Sequence, residues 1–304
     1  MRWWIRELDM ATMTDGSSTK ELGEREGTLH VLLRALVRNP ATLFAGVVLL
    51  LLVSGALFAP LLAPFPPGEM HVEDRMRPPS SEYLLGTDAF GRDTLSRLLH
   101  GARVSMVVSV LAVFIAMFAG TAIGSLAGLL GGWVDELVMR VIDMVMAFPY
   151  IVLAITLVTL LGPGLGNVVF VIGVLRVPDF ARVSRSGVLI LKNQEFVLAA
   201  EALGQTRLMI LLRHLLPNFL PTLTVVASLA AGTATTGEAA LSFLGLGVQP
   251  PTASWGNMLA DGQRLVFSSP WLAFFPGLMI TLTVLAFNLL GDALRDVTDP
   301  RFRR

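Results

Sequence analysis

The sequence contains no cysteine, which excludes disulfides, zinc–thiolate sites and iron–sulfur clusters. Charge is also scarce. Only 15% of the residues are charged against 54% hydrophobic, and mean hydropathy is +0.68. A water-soluble domain of this size carries about 25% charged residues, so much of this surface faces something other than water. Lysine is confined to Lys20 and Lys192, and arginine carries the positive charge. The balance is neutral, which removes any bulk attraction to nucleic acid. The four histidines, His30, His71, His100 and His214, are scattered and none pairs at metal-ligand spacing. There is no G-x-x-x-x-G-K-[ST], no H-E-x-x-H and no G-x-S-x-G. Phosphate-loop ATP binding, zincin chemistry and a nucleophile elbow therefore drop out, and the sequence offers no catalytic and no metal site.

Long apolar runs take their place. A bilayer core about 30 Å thick needs roughly 20 apolar residues in helical form. Residues 41–68, 104–134, 144–175, 215–237 and 265–291 are uncharged. The third run is interrupted by Gly162-Pro163-Gly164, which ends a helix. It therefore reads as one full span and the start of another, across 168–183, where Arg176, Asp179 and Arg182 share one helical side. Cations flank both ends: Arg34 and Arg38 precede the first run, and Arg295, Arg301, Arg303 and Arg304 follow the last. The positive-inside rule places both termini in the cytoplasm, which requires an even number of spans.

The expected architecture is an all-α membrane protein of six transmembrane helices. A polar segment covers 1–40, a first transmembrane helix 41–64, an external loop 65–103, a transmembrane core 104–292 and a cytoplasmic tail 293–304. The loop 187–217, between spans four and five, is patterned as two short helices. Phe196, Ala199, Ala200 and Leu203 recur at helical spacing, then Leu208, Leu211, Leu212 and Leu215, with Pro217 ending the second helix. Periodicity alone leaves two readings open: a docking knob for a partner, or an amphipathic hairpin lying on the membrane.

Particular segments carry a resemblance. Residues 195–204 (E-F-V-L-A-A-E-A-L-G), with Arg213-His214-Leu215-Leu216-Pro217-Asn218, are similar to the E-A-A-x-x-x-G loop of binding-protein-dependent ABC importers. L-G-T-D-A-F-G-R-D (85–93), R-V-I-D (140–143), A-F-P (147–149), L-S-F-L-G-L-G-V-Q-P-P (241–251), S-W-G (254–256) and L-A-F-N-L-L-G-D (285–292) narrow it. They resemble the C-type permease of the dipeptide, oligopeptide and nickel group, from about Arg34 to the end.

The resemblance implies a non-enzymatic permease that forms a heterodimer with a homologous subunit. Two cytoplasmic ATPases would hold the ATP and magnesium, and an external solute-binding protein would deliver the cargo. Dipeptides, oligopeptides, glutathione, opines and nickel chelates are all carried by permeases of this pattern. The resemblance makes 195–204 the coupling helix, with Glu195, Ala199, Ala200, Glu201, Gly204, Arg207, Arg213, His214 and Pro217 in the ATPase contact. Leu198 stands where the motif has glutamate, so Glu195 or Glu201 is left to offer the acid.

Other residues have readings of their own. Phe148, Thr233, Thr236 and Glu238 are candidates for lining the pathway. Glu238, alone between two uncharged stretches, reads either as pathway lining or as a wet span end. Asp93 with Arg97, and Arg140 with Asp143, read as ion pairs along their helices. The segment around Asp93 is a ledge for the binding protein or a cap for the second span. Trp255 and Trp271 suit an outer aromatic belt. The rival from another class is a secondary transporter, which usually has inverted repeats with broken helices in both halves; none is visible.

Overall fold

The computed structural model describes residues 39–298. The expected N-terminal segment falls outside the described residues up to Arg38, and the tail does so after Thr298. The helices are α1 (Pro40–Leu57), α2 (Ala59–Leu62), α3 (Thr94–Leu130), α4 (Gly132–Met146), α5 (Tyr150–Leu161), α6 (Leu165–Leu191), α7 (Glu195–Ala202), α8 (Arg207–Ile210), α9 (Leu216–Phe243), α10 (Trp255–Gln263) and α11 (Trp271–Thr298). Among the described residues there is no strand, only an isolated bridge between Thr87 and Asp93. Four helices are long and apolar enough to cross a membrane, or five if the bent pair α4–α5 forms one span. Large apolar side chains stand bare along them, among them Leu50 at 68%, Phe118 at 72% and Leu160 at 77% exposure. Such a surface belongs against lipid or another subunit.

The centre of the bundle is α6 laid along α3. Val168, Ile172, Phe180, Ala181, Ser184 and Val188 of α6 are completely buried. Three glycines of α3, spaced four apart, make this possible. A Cβ at Gly124 would lie 2.0 Å from the carbonyl oxygen of Ala181, and one at Gly120 would lie 2.5 Å from that of Val177. At Gly128 the nearest atom is the Arg185 carbonyl oxygen, 3.1 Å away. The two backbones touch along a small-residue stripe, which is how helices associate where water provides no driving force. This G-x-x-x-G-x-x-x-G run is plain in the sequence as a motif, but its partner helix is not.

Several expectations are corrected. The run after Met144 is sharply bent: α4 and α5 meet at 89° across Ala147-Phe148-Pro149. Proline's missing N–H and fixed φ end one helix and start another there. Alone, α5 is only about 18 Å long. Pro217 does not end a helix either. The chain passes through a π turn at Leu211–Leu215 into α9, so Arg207–Phe243 is a continuous 37-residue helix. The wide turn absorbs the hydrogen bond that proline cannot donate. Arg140 does not pair with Asp143. Arg140 reaches Glu136 (3.6 Å), while Asp143 accepts from Arg182 of α6 at 2.6 Å. Asp135 takes Arg185 in a two-pronged contact of 2.5 and 2.6 Å. Both aspartates thus take partners on α6, while Arg140 stays with a neighbour on its own helix.

The segment before α3 is folded on itself. Asp88 accepts from the backbone N–H groups of Phe90 and Arg92 (2.8 and 3.0 Å) and from Arg92 Nε (2.6 Å). Asp93 does not pair with Arg97. Its carboxylate caps α3 by accepting from Ser96 N at 2.7 Å, and Arg97 lies 3.6 Å from Asp88 instead. Tyr83 packs here with its hydroxyl on Asp74 (2.8 Å), and burial with that bond pushes its pKa up to about 12. Asp93 thus caps the second span, and Arg92 also lies 3.8 Å from Asp261 of α10.

Candidate coupling and translocation surfaces

Where residues 195–204 end, the backbone closes in a left-handed turn. Gly204 has φ +78°, its N–H donates to the Glu201 carbonyl (2.9 Å), and Gln205 N donates to that of Ala200 (3.1 Å). This is a glycine-terminated helix end. Thr206 then caps α8 by accepting from Met209 N, and His214 Nε2 lies 3.0 Å from Gln205 Oε1. The turn is braced on both sides.

The apolar stripe read from the sequence divides in two. Val197 and Ala200 point inward and join the main core with Ile210, Leu211, Leu215 and Phe219. Phe196, Ala199 and Leu203 point outward, Phe196 at 41% and Leu203 at 81% exposure. Leu208 and Leu212 are exposed as well. Helix α7 is apolar on two sides, and periodicity could not rank them; Val197, outside the expected stripe, settles which is covered. Around the bare face stand Glu195, Glu201, Arg207 and Arg213, all exposed and without a side-chain partner among the described residues. Pro217 is exposed beside them. The hairpin is therefore locked to the bundle on one side and offers an apolar patch ringed by unspent charges on the other.

The expected pathway residues separate. Phe148 is 61% exposed at the α4–α5 break, and Thr233 and Thr236 are exposed one turn apart on α9. Glu238 is neither lining nor wet: it is 0% exposed. Its carboxyl accepts from Ser105 Oγ of α3 (2.9 Å) and Ser242 Oγ (2.7 Å), next to a Ser109–Thr235 hydroxyl contact of 2.7 Å. It ties α9 to α3. Trp255 likewise leaves the expected aromatic belt. It is fully buried, and its Nε1 donates to the Leu98 carbonyl at 3.0 Å.

Sequence reasoning missed a polar pair at the α4–α5 break. Arg176 Nη1 donates to Asp179 Oδ2 at 3.1 Å, and the Arg176 guanidinium lies 4.6 Å from the centre of the Tyr150 ring. These residues, with Phe148, Leu153 and Leu175, line a cavity of about 220 Å³. The signal was present as charges inside a span, but the facing tyrosine belongs to another helix. Among the described residues no cluster could hold a metal ion.

Comparison with known proteins accords with this architecture. Residues 120–304 match the model of the binding-protein-dependent transport system inner membrane component, and residues 28–79 that of the N-terminal TM domain of oligopeptide transport permease C. The dipeptide transport system permease protein of Alkalihalophilus pseudofirmus is 42% identical over 270 residues, 89% of each chain. A glutathione transport system permease protein of Pectobacterium atrosepticum is 41% identical over 271 residues, covering 89% of this chain and 90% of the relative. A di/tripeptide transport system permease protein of Pseudomonas aeruginosa is 40% identical over 276 residues, covering 89% and 91%. This chain belongs to the family of inner-membrane components of binding-protein-dependent transport systems.

Proposed function

We propose that this chain is one of two homologous permease subunits of an ATP-driven importer of short peptides, moved through α7. The relatives are named for dipeptides, di- and tripeptides and glutathione, all short peptides, so opines and nickel chelates recede. Six spans are assigned: α1, α3, the bent α4–α5, α6, the α8–α9 helix and α11. Helix α6 counts because 27 residues reach about 40 Å and each of its charges has an ion-pair partner. Both termini and α7 then lie in the cytoplasm. This chain binds no cofactor of its own; ATP and magnesium sit on two partner ATPases, and an external binding protein supplies the peptide. Phe148, Thr233 and Thr236 face the second permease across the path.

The observation that carries this reading is the two-sided hairpin. Its inner face is continuous with the core, so force applied to the outer face reaches α6 and α9 directly. Differential binding of ATP to two states of the complex supplies that force. The test uses the full complex in proteoliposomes with a labelled dipeptide and its binding protein. Gly204→Val is expected to abolish ATP-dependent uptake while the chain still inserts. Normal uptake in that variant would refute the coupling role. Uptake driven by an ion gradient without ATP would favour a secondary transporter.

A further inference from the structure

Resting on that reading, we propose that Arg176 and Asp179, with Tyr150 and Phe148, form half of a site inside the membrane that recognises the two charged ends of a zwitterionic peptide. Arg176 lies about 16 Å along α6 from Leu165, close to half of a roughly 30 Å hydrocarbon core. Ionisable groups at that depth are costly and serve a pathway or a ligand. The other cations of α6 have structural partners on α4, namely Asp143 for Arg182 and Asp135 for Arg185. Among the described residues Arg176 has no acidic partner on another helix; it meets its own neighbour Asp179 and the ring of Tyr150.

The pair is also incompletely satisfied. Arg176 Nε and Tyr150 Oη are shielded from solvent and complete no hydrogen bond of normal geometry. The side chains of Arg176 and Asp179 remain 22% and 34% exposed, toward the cavity of about 220 Å³. That volume is below the usual 300–1,000 Å³ of a complete small-molecule site. Phe148 also lines the cavity and is left 61% exposed by the described residues.

The chemistry fits one cargo class. A guanidinium takes a carboxylate through two parallel N–H groups, and a carboxylate beside it takes an ammonium. Phe148, which lines the same cavity, accepts an apolar side chain. In the absence of peptide, Arg176 and Asp179 neutralise each other; a zwitterion exchanges that one bridge for two without leaving a charge unpaired. The second permease is expected to close the other side of the site.

The test compares three forms of the complete transporter: the unaltered one, Arg176→Gln with Asp179→Asn, and the exchange Arg176→Asp with Asp179→Arg. Co-purification with the partner subunits reports folding, and the exchanged form keeps a bridge even where the neutral form fails to assemble. Initial uptake of a dipeptide with free ends is measured at saturating binding protein, together with ATP consumed. Expected is an at least tenfold fall in uptake in both variants, with a matching rise in ATP spent per peptide. A merely structural bridge would survive exchange, so uptake by the exchanged form equal to the unaltered one overturns the proposal. Failure of the unaltered complex to import any free-ended dipeptide would overturn the peptide reading itself, and this proposal with it.

Discussion

Gly204 and Asp88 illustrate two ways in which one residue holds a larger unit. At Gly204 the constraint is backbone conformation. A Cβ there would meet open space, but φ is +78°. Valine must leave that region or carry strain of about 1–3 kcal/mol, and either result moves the end of α7 against its partner. At Asp88 the constraint is charge. Its carboxylate lies within bonding or Coulomb reach of Arg92 and Arg97, whose side chains are 6% and 4% exposed. Asp88→Ala leaves two buried guanidinium groups with only the half-exposed Asp261, 3.8 Å from Arg92, as a nearby counter-ion. Breaking a buried pair this way costs about 3–5 kcal/mol. The expected result is a strongly reduced yield of folded complex and a thermal midpoint lowered by several degrees, whereas Asp261→Ala, at a half-exposed carboxylate 3.8 Å from Arg92, changes the midpoint little.

Among the elements, the α3–α6 contact has the least tolerance. At Gly124 the added atom would fall on backbone rather than on a movable side chain. Gly124→Val must therefore part the two helices, beyond the about 1–3 kcal/mol of ordinary overpacking. Loss of assembled complex in a membrane fraction is expected, together with protease sensitivity in the 162–164 turn. Gly55→Val is the matched control, since its added Cβ meets only the end of the Leu99 side chain at 3.4 Å. Retention of normal complex by Gly124→Val would show that α6 does not sit against α3 as described.

For the whole molecule the decisive quantity is which side of the membrane α7 occupies. The natural chain has no cysteine, so Leu203→Cys introduces a single thiol at an 81% exposed position. A membrane-impermeant thiol reagent is expected to label it from the cytosolic side when the ATPases are absent, and to be excluded when they are bound. Labelling of intact cells from outside would reverse the topology and remove α7 from any contact with an ATPase.

Much of this protein was settled by composition and pattern. Scarce charge, long apolar runs and the glycine at 204 were enough to establish a helical membrane protein with a turn after α7, because hydrophobic partition and backbone sterics are local properties. The tertiary structure decided what locality cannot: which face of α7 is covered, that Asp143 and Asp135 of α4 pair with arginines of α6, and that Glu238 is enclosed by serines rather than open to a path. It also brought Tyr150 over Arg176 across the broken span. Each of these depends on contacts between residues distant in the chain, where burial selects one partner from several that the pattern equally permits.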